Sequence, residues 1–420
     1  MNVFRRAARA LWREAIARTL PHGLLGVGYV RRRPSSAVAL HRALWRDALP
    51  GWPRWLVALV EANLWLRWTM FGAWRATWRM VCWHGANVQA TEGLTRSRQA
   101  RRVLGLALRW CVPPAQAYQF GLYRAPPRGE PDPALGYVYS TELAAWHRHV
   151  NAQDAGRDAA IALLRDKPAL AQRLAAAGVP VADTLAIIRA GAPGNLAEWL
   201  DTHPRITEVA ESGLFFKLRD GMGARGAFAA WRRDGAWEAR TLHGDDIRRG
   251  EGLQALWRTL SAQGEVLVQP RLVAHPGLAA LAGVDDPVTV RVITRRVHGS
   301  ATVEVATLEV PLGRKGLHVL WLITTEHGEV QTVGWDGRPA SQVPPTDPVF
   351  PMIRTPGPGL LVPDWARLEA ESRRAHDSVG ALAWIAWDWI VTPDGPLLLE
   401  GNSGWGPVSP QRLYGPLLTR

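Results

Sequence analysis

Apolar and polar positions divide the chain into two textures. Residues 1–125 read as helices punctuated by "LPHGLLGVG", "LPGWP" and "CVPP". A loop, "RAPPRGEPDPALG", then marks a boundary. From residue 151 helices and strands alternate. "RDAAIALLRDKPALAQRLAAAGVPV" predicts one helix closed by Gly178 and Pro180. Apolar, β-branched runs predict strands at 185–188, 214–218, 227–231, 266–269, 288–297, 301–310, 385–391 and 397–400. The Pro-rich "PASQVPPTDPVFPMIRTPGPGLLVPDW" predicts an ordered surface loop before a helix starting near Asp364. This mixed order predicts an α+β fold rather than a regular βαβ array, and no internal repeat is present.

Composition bounds the class. With 420 residues, 47% hydrophobic and 21% charged, the chain is globular, with length for two or three domains. Cys82 and Cys111 are too few for a disulfide framework and favour a reducing compartment. The most apolar stretch, 55–83, carries Glu61, Asn63, Arg67, Arg75 and Arg79, so no spanning helix is expected. The start "MNVFRRAARALWREAIARTL" lacks a signal peptide's apolar core. A cytoplasmic protein, soluble or peripheral at the inner face of the membrane, is the expectation.

Charge changes the picture. The net +13 is concentrated in residues 1–150, where 22 Arg and no Lys stand against 7 acids, a net +15; the remainder is near −2. The same segment holds 11 of the 22 tryptophans. If 55–83 is one helix, Arg67, Arg75 and Arg79 share an arc of about 120° at roughly 100° per residue. Trp65 and Trp83 then point one way, and Trp74 and Trp78 nearly the other. That predicts tryptophans packed on both sides. Contact with an anionic membrane or glycolipid is the second reading. Nucleic acid is the third, without a helix-turn-helix, zinc-finger or RNP signature behind it.

Lysine is scarce: Lys167, Lys217 and Lys315 are the only three among 50 basic residues. A compact ammonium suits a phosphate oxygen in a narrow site. Three residues after Lys217 come Gly221, Gly223 and Gly226 in a GxGxxG pattern. "AFAAWRRDGAW" after Gly226 reads as a strand, which favours a glycine-rich hairpin over phosphates and disfavours a dinucleotide fold. A plain surface turn is the alternative. No GxxxxGK[ST] motif occurs.

In "WIAWDWIVTPDGPLLLEGNSGWG" two apolar strands flank a turn. A three-residue loop at Pro393, Asp394 and Gly395 sets Asp388 opposite Glu400, with Asn402 two residues on along the same face. Opposed carboxylates call for a cation between them, and these hard oxygen donors suit Mg²⁺. A bulge shifts this register by one, and a single solvated acid at a strand end is the alternative.

"RDKPALAQRLAAAGVPV", "FFKLRDGMGARGAF" and "WDWIVTPDGPLLLEGNSGWG", in that order, resemble the ATP-grasp superfamily over residues 155–415. The flanking "VQPRLVAHPGLAALAG" and "VTVRVITRRV" resemble its sugar-transfer-associated branch, related to α-L-glutamate ligases. The resemblance implies an ATP-grasp fold, two α+β subdomains clamping ATP at 151–270 and 271–420, behind a basic helical domain at 1–150. It implies an ATP- and Mg²⁺-dependent ligase joining a small-molecule or sugar carboxylate to an amine or similar nucleophile through an acyl-phosphate. Polysaccharide or glycoconjugate modification is the implied setting, and a non-catalytic nucleotide-binding module docking on sugar-transfer machinery is the alternative. Carried over by position, Lys167, Lys217, Gly221, Gly223 and Gly226 meet the phosphates and Gln269 the adenine and ribose. Arg291 neutralises the transferring phosphate, while Asp388, Glu400 and Asn402 hold Mg²⁺. Leu218 and Thr289 depart from the family pattern, and "GRKGLHVLWLITTEHGEV" fits the branch less readily, with Arg314, Lys315 and His318 unassigned. Trp405 and the tryptophans around Asp388 read as core, and Arg295 with Arg296 as a solvated pair.

Overall fold

The computed structural model describes residues 18–30, 35–49, 51–127, 129–130, 132–151, 155–220, 226–242, 244, 246–282, 287–311, 318–331 and 359–418. The chain forms two compact units, the first within 1–152 and 406–420, the second within 153–332 and 352–405. Among the described residues no helix is long and apolar enough to cross a membrane. Gly221 and Gly223, Arg314 and Lys315, and most of the Pro-rich segment lie outside the described residues.

The first unit is helical. Ser35 caps the helix Ser36–Ala48 and Thr95 caps Arg96–Trp110, each side chain accepting an amide that the first turn leaves unpaired. Helix Ala73–Glu92 ends where Gly93 turns left-handed at φ 68°, a conformation glycine adopts without a Cβ penalty. Trp45, Val103, Leu106, Trp110, Tyr118 and Tyr139 form the core. Gln411 closes the unit from the chain's far end: its amide nitrogen donates to the Val138 carbonyl and its oxygen accepts from the Val138 amide, both at 2.7 Å.

Residues 54–92 depart from a uniform helix. Arg54–Arg67 passes into a π turn, Trp68–Gly72, before Ala73–Glu92 continues. Trp68 is buried, and its indole donates to the Ala107 carbonyl at 2.9 Å. Trp55, Trp74, Trp78 and Trp83 are exposed, which corrects the expectation that tryptophans on both sides pack into structure.

Among the described residues of the second unit two six-stranded antiparallel sheets establish the α+β class. The strands are β1 (Ala186–Ile188), β2 (Leu214–Leu218), β3 (Phe228–Arg233), β4 (Ala236–Thr241), β5 (Arg248–Arg249) and β6 (Val266–Pro270). They continue with β7 (Thr289–Val297), β8 (Ser300–Pro311), β9 (His318–Ile323), β10 (Val330–Gln331), β11 (Trp384–Thr392) and β12 (Gly395–Asn402). The first sheet runs β1-β6-β2-β3-β4-β5 and the second β10-β9-β8-β7-β11-β12. The eight expected strands form with ends shifted by a residue or two. The sequence reading missed β4, β5, β9 and β10, although Asp234 and Gly235, both at positive φ, make the β3–β4 turn that "DG" favours.

Alternation gives each sheet a core face and a site face. In the first sheet Leu214, Phe216, Phe228, Val266 and Val268 pack on Leu200, Leu253, Trp257 and Leu260 of the helices Leu196–Thr202 and Glu251–Ser261. In the second, Thr294 and Trp387 share a face with helix Trp365–Val379: the Thr294 hydroxyl meets His376 Nδ1 at 2.7 Å and accepts the Trp387 indole at 2.9 Å. The single helix expected over residues 157–176 is two, Arg157–Arg165 and Lys167–Ala176. Pro168 lacks the amide that would continue the first, and the Asp166 side chain caps the second by accepting from Ala169 N at 3.3 Å.

Candidate active site

The β11–β12 hairpin delivers two carboxylates to one point. Its turn is one residue tighter than the sequence suggested: Thr392 pairs with Gly395, so only Pro393 and Asp394 form the loop. A bulge between Asp388 and Trp389 then restores the lost residue, and Asp388 pairs with Glu400. Asn402, paired with Ala386, turns to the same face; its Nδ2 lies 3.3 Å from Asp388 Oδ2 and 3.4 Å from Glu400 Oε1.

Across β11 from this hairpin, Asp388 also pairs with Arg291 on β7. The guanidinium grips the carboxylate with two donors, Nε to Oδ1 at 2.7 Å and Nη2 to Oδ2 at 2.9 Å, while Nη1 reaches Glu309 Oε1 at 2.9 Å. Burial pushes the Asp388 carboxyl up to about 6, with Arg291 pulling it down and Glu309 and Glu400 adding repulsion. Arg291 is held still further above its usual range: its own desolvation is the largest cause and lowers it, but the hydrogen bonds it donates to Asp388 and the charges of Asp388, Glu309 and Glu400 together outweigh that.

The first sheet contributes the cations. Lys217 and Gln269 sit on adjacent strands, where the pairs Lys217–Leu267 and Phe215–Gln269 put all four side chains on the face opposite the core. Lys167 opens its helix and donates to the Arg219 carbonyl at 3.1 Å, and its ammonium stands 3.8 Å from Glu400 Oε2. Residues 180–182 bring that helix beside β12: Val181 bridges Leu398, and the Leu398 amide donates to the Pro180 carbonyl at 2.9 Å. Lys167, Lys217, Gln269, Thr184, Leu267 and Leu398 therefore line one cleft. Desolvation lowers the Lys217 ammonium to about 8, with Glu400 raising it and Lys167 lowering it further.

Seven of the ten residues singled out from the sequence thus lie around one cleft and the cluster beside it. The eighth described one, Gly226, has φ 74° at the entry to β3, which pairs antiparallel with β2. The glycine-rich stretch accordingly joins two strands, the hairpin context expected of it. Sequence reasoning missed Glu309. The turn itself was readable, since His298 and Gly299, both at positive φ, join β7 to β8, but counting back from "VHGS" sets Glu309 opposite Val288, and a register shift between Ile293 and Thr294 moves it to Thr289, beside Arg291. It also missed Arg219, which fixes Asp166 and Glu265 with 2.8 Å bonds and holds Lys167 through its carbonyl.

The donor set fits a hard divalent cation. Among the described residues no group of three or more Asp, Glu, His or Cys side chains is arranged to hold a metal ion. A cation here would take oxygens from Asp388 and Glu400 and the Asn402 amide, once the amide is turned to present Oδ1, and complete its shell with water or phosphate.

No family model matches the sequence, and no curated protein matches it. Among solved structures it is similar to an N5-carboxyaminoimidazole ribonucleotide synthetase in its ADP complex, with 14% identity, 58% of this chain and 45% of that one covered, and a TM-score of 0.33. It is also similar to the D-alanine–D-alanine ligase from Coxiella burnetii, with 11% identity, 57% and 48% coverage, and a TM-score of 0.30. The RimK domain ATP-grasp protein from Sphaerobacter thermophilus gives 16%, 62% and 68%, and 0.32. The chain spans about half the length of the first two.

Proposed function

We propose that the second unit is an ATP-grasp ligase that uses ATP and Mg²⁺ to join a carboxylate to an amine or similar nucleophile through an acyl-phosphate. The observation that carries this is one cleft in which the scarce lysines, Lys167 and Lys217, meet Gln269 and approach the Asp388–Glu400–Asn402 oxygens. Lys167 and Lys217 bind phosphate oxygens, and Gln269, on the adjacent strand, takes the nucleoside end. The glycine-rich hairpin closes over the phosphates with its backbone amides. Bound Mg²⁺ supplies charge neutralisation between the phosphates and the carboxylates. Arg291 keeps Asp388 oriented and ionised for that cation. An ATP carboxylate ligase needs no side-chain nucleophile, because positioning and charge compensation lower the barrier.

The carboxylate belongs to a small molecule or a sugar and the nucleophile is the acceptor, in polysaccharide or glycoconjugate biosynthesis or modification. "VQPRLVAHPGLAALAG" and "VTVRVITRRV", which flank the cleft strands β6 and β7, support that class by resemblance. Its dependence on ATP sets the reaction in the cytoplasm.

The test is Mg²⁺-dependent ATP binding and ADP release by the full chain, comparing wild type with Lys217→Met and Glu400→Gln and adding pooled amino acids and uronic-acid sugars. ADP release that rises with the pool and needs both residues is the expected result. ATP binding without turnover under any pool reduces the reading to a nucleotide-binding module, and absence of ATP binding overturns it.

A further inference from the structure

The exposed tryptophans of the first unit form a pattern that the ligase reading leaves unused. A π turn adds one residue to a helix, so everything beyond it is set back by about one residue's rotation, roughly 100°. With Trp68–Gly72 counted in this way, Trp55, Leu59, Leu66, Trp74 and Trp78 fall within about 40° of one another around the helix axis. A straight α-helix would scatter them. Arg67, Arg75 and Arg79, spread over about 120° in a straight helix, likewise close to within about 40° along one flank.

Exposure follows the same line. Trp55 and Trp78 are each 70% exposed, Leu59 64%, Trp74 55% and Leu66 52%. The stripe from Trp55 to Trp78 is about 35 Å long at 1.5 Å per residue, far more apolar surface in one line than scattered surface residues give. Its charge is of one sign. Between Arg54 and Trp83 the sole acid is Glu61, which is buried and accepts the His22 amide at 2.9 Å. Tryptophan with its polar indole edge suits the headgroup boundary of a bilayer, and flanking arginines suit lipid phosphates.

We propose that the exposed face of residues 54–83 docks in the plane of an anionic phospholipid bilayer, tryptophans and aliphatic side chains at the acyl boundary and Arg67, Arg75 and Arg79 on the phosphates. An apolar stripe alone would suit a second copy of the chain equally well. The arginine row with no exposed acid decides for an anionic surface, because two copies would bring like charges together. This assignment stands apart from the ligase reading and would survive its failure.

Vesicle flotation of the full chain tests it, using phosphatidylglycerol and phosphatidylcholine in equal parts against phosphatidylcholine alone. Wild type is expected to float with the anionic vesicles and to be released in part by high salt. Trp55→Ser with Trp78→Ser, and separately Arg75→Glu with Arg79→Glu, are each expected to weaken partitioning by about tenfold or more. A fluorophore on the exposed Cys82, at the stripe's edge, is expected to shift to the blue only with anionic vesicles; Cys111 is buried and stays unlabelled. All these side chains are exposed, so both double variants keep the wild-type circular dichroism and Mg²⁺-ATP binding. Wild type that stays with the soluble fraction overturns the proposal, as does a tryptophan pair variant that floats as well as wild type. A wild-type dimer that the tryptophan pair variant turns into monomer also overturns it, since a second copy then covers the stripe.

Discussion

Replacing Arg291 with methionine removes the cation lodged between Asp388 and Glu309 while keeping much of the side-chain volume. In the native chain burial lifts Asp388 above the ordinary carboxylate range, so the folded state keeps this proton to a higher pH than the unfolded state does. The group's contribution is therefore most favourable in acid and declines as pH rises through about 6. Arg291 limits that decline with two charge-assisted bonds of 2.7 and 2.9 Å. Without it, desolvation and the two neighbouring glutamates act unopposed, and the pKa climbs further. At pH 8 the variant must either hold an uncompensated buried carboxylate or spend free energy to protonate it, and losing one partner of such a pair costs about 3–5 kcal/mol. At pH 5 Asp388 is protonated, and the cost shrinks to the missing hydrogen bonds, about 1–2 kcal/mol. Amide hydrogen exchange reads the local opening of β7 and β11, with intrinsic rates corrected for pH. Their protection should fall by roughly a hundredfold or more at pH 8 and far less at pH 5. Adding Asp388→Asn to the variant should remove most of this pH dependence. Equal loss of protection at both pH values would refute the reasoning, because the ionisation of Asp388 would then play no part.

Lys217, lowered to about 8 by desolvation, gives the opposite sign. The unfolded chain holds this proton up to about 10.5, so stability should rise as pH climbs from about 8 towards that value, and Lys217→Met should flatten the rise in denaturant titrations. ATP affinity of wild type should weaken as pH passes about 8, and a weakening absent below pH 10 would sink the assignment of Lys217 to phosphate. Glu400→Gln removes a charge that raises Lys217, so the midpoint of that affinity profile should move to lower pH, alongside loss of Mg²⁺-dependent turnover in an ADP-release assay. At Gly401 an added Cβ would lie 2.5 Å from Trp387 Cζ3 and 2.8 Å from Leu164 Cδ2. Gly401→Ala should therefore cost about 1–3 kcal/mol, read as a lowered Tm of the second unit's transition.

The carboxylate pair was legible in the sequence for a reason that was only partly right. Strand alternation and a turn at "TPDG" set Asp388 opposite Glu400, but the assumed three-residue loop is a two-residue one, and the bulge between Asp388 and Trp389 compensates. Bulges depend on local ladder geometry, which side-chain periodicity records poorly. Lys167 and Lys217 were legible because arginine is used almost everywhere else. Glu309 was not, because its role comes from pairing across β7 and β8, and the sequence shows an acid on a strand without showing which cation stands beside it. The break at Asp166 was overlooked for another reason: apolar spacing runs through it, and Pro168 is tolerated in the first turn of a new helix.

The π turn at Trp68–Gly72 lay beyond any reading of hydrophobic spacing. Five residues of ordinary helix-forming and aromatic type carry no mark of the extra one, since the insertion is stabilised by what surrounds it: Trp68 is buried with its indole on the Ala107 carbonyl, and Trp74 Nε1 caps the Thr69 carbonyl at 3.1 Å. That single residue decides the meaning of the tryptophans. At about 100° per residue throughout, Trp65 and Trp83 point away from Trp74 and Trp78, and a helix packed on both sides follows. With one residue taken out of the rotation, Trp55, Trp74 and Trp78 align and the arginines gather beside them. A deletion tests this directly: removing Met70 takes out the residue that the π turn absorbs, so it should leave a continuous α-helix in which Trp55, Trp74 and Trp78 keep their alignment. Tryptophan emission and acrylamide quenching should then report as many exposed indoles as in wild type, whereas a fall in exposed indoles would show that the π turn does not set the face.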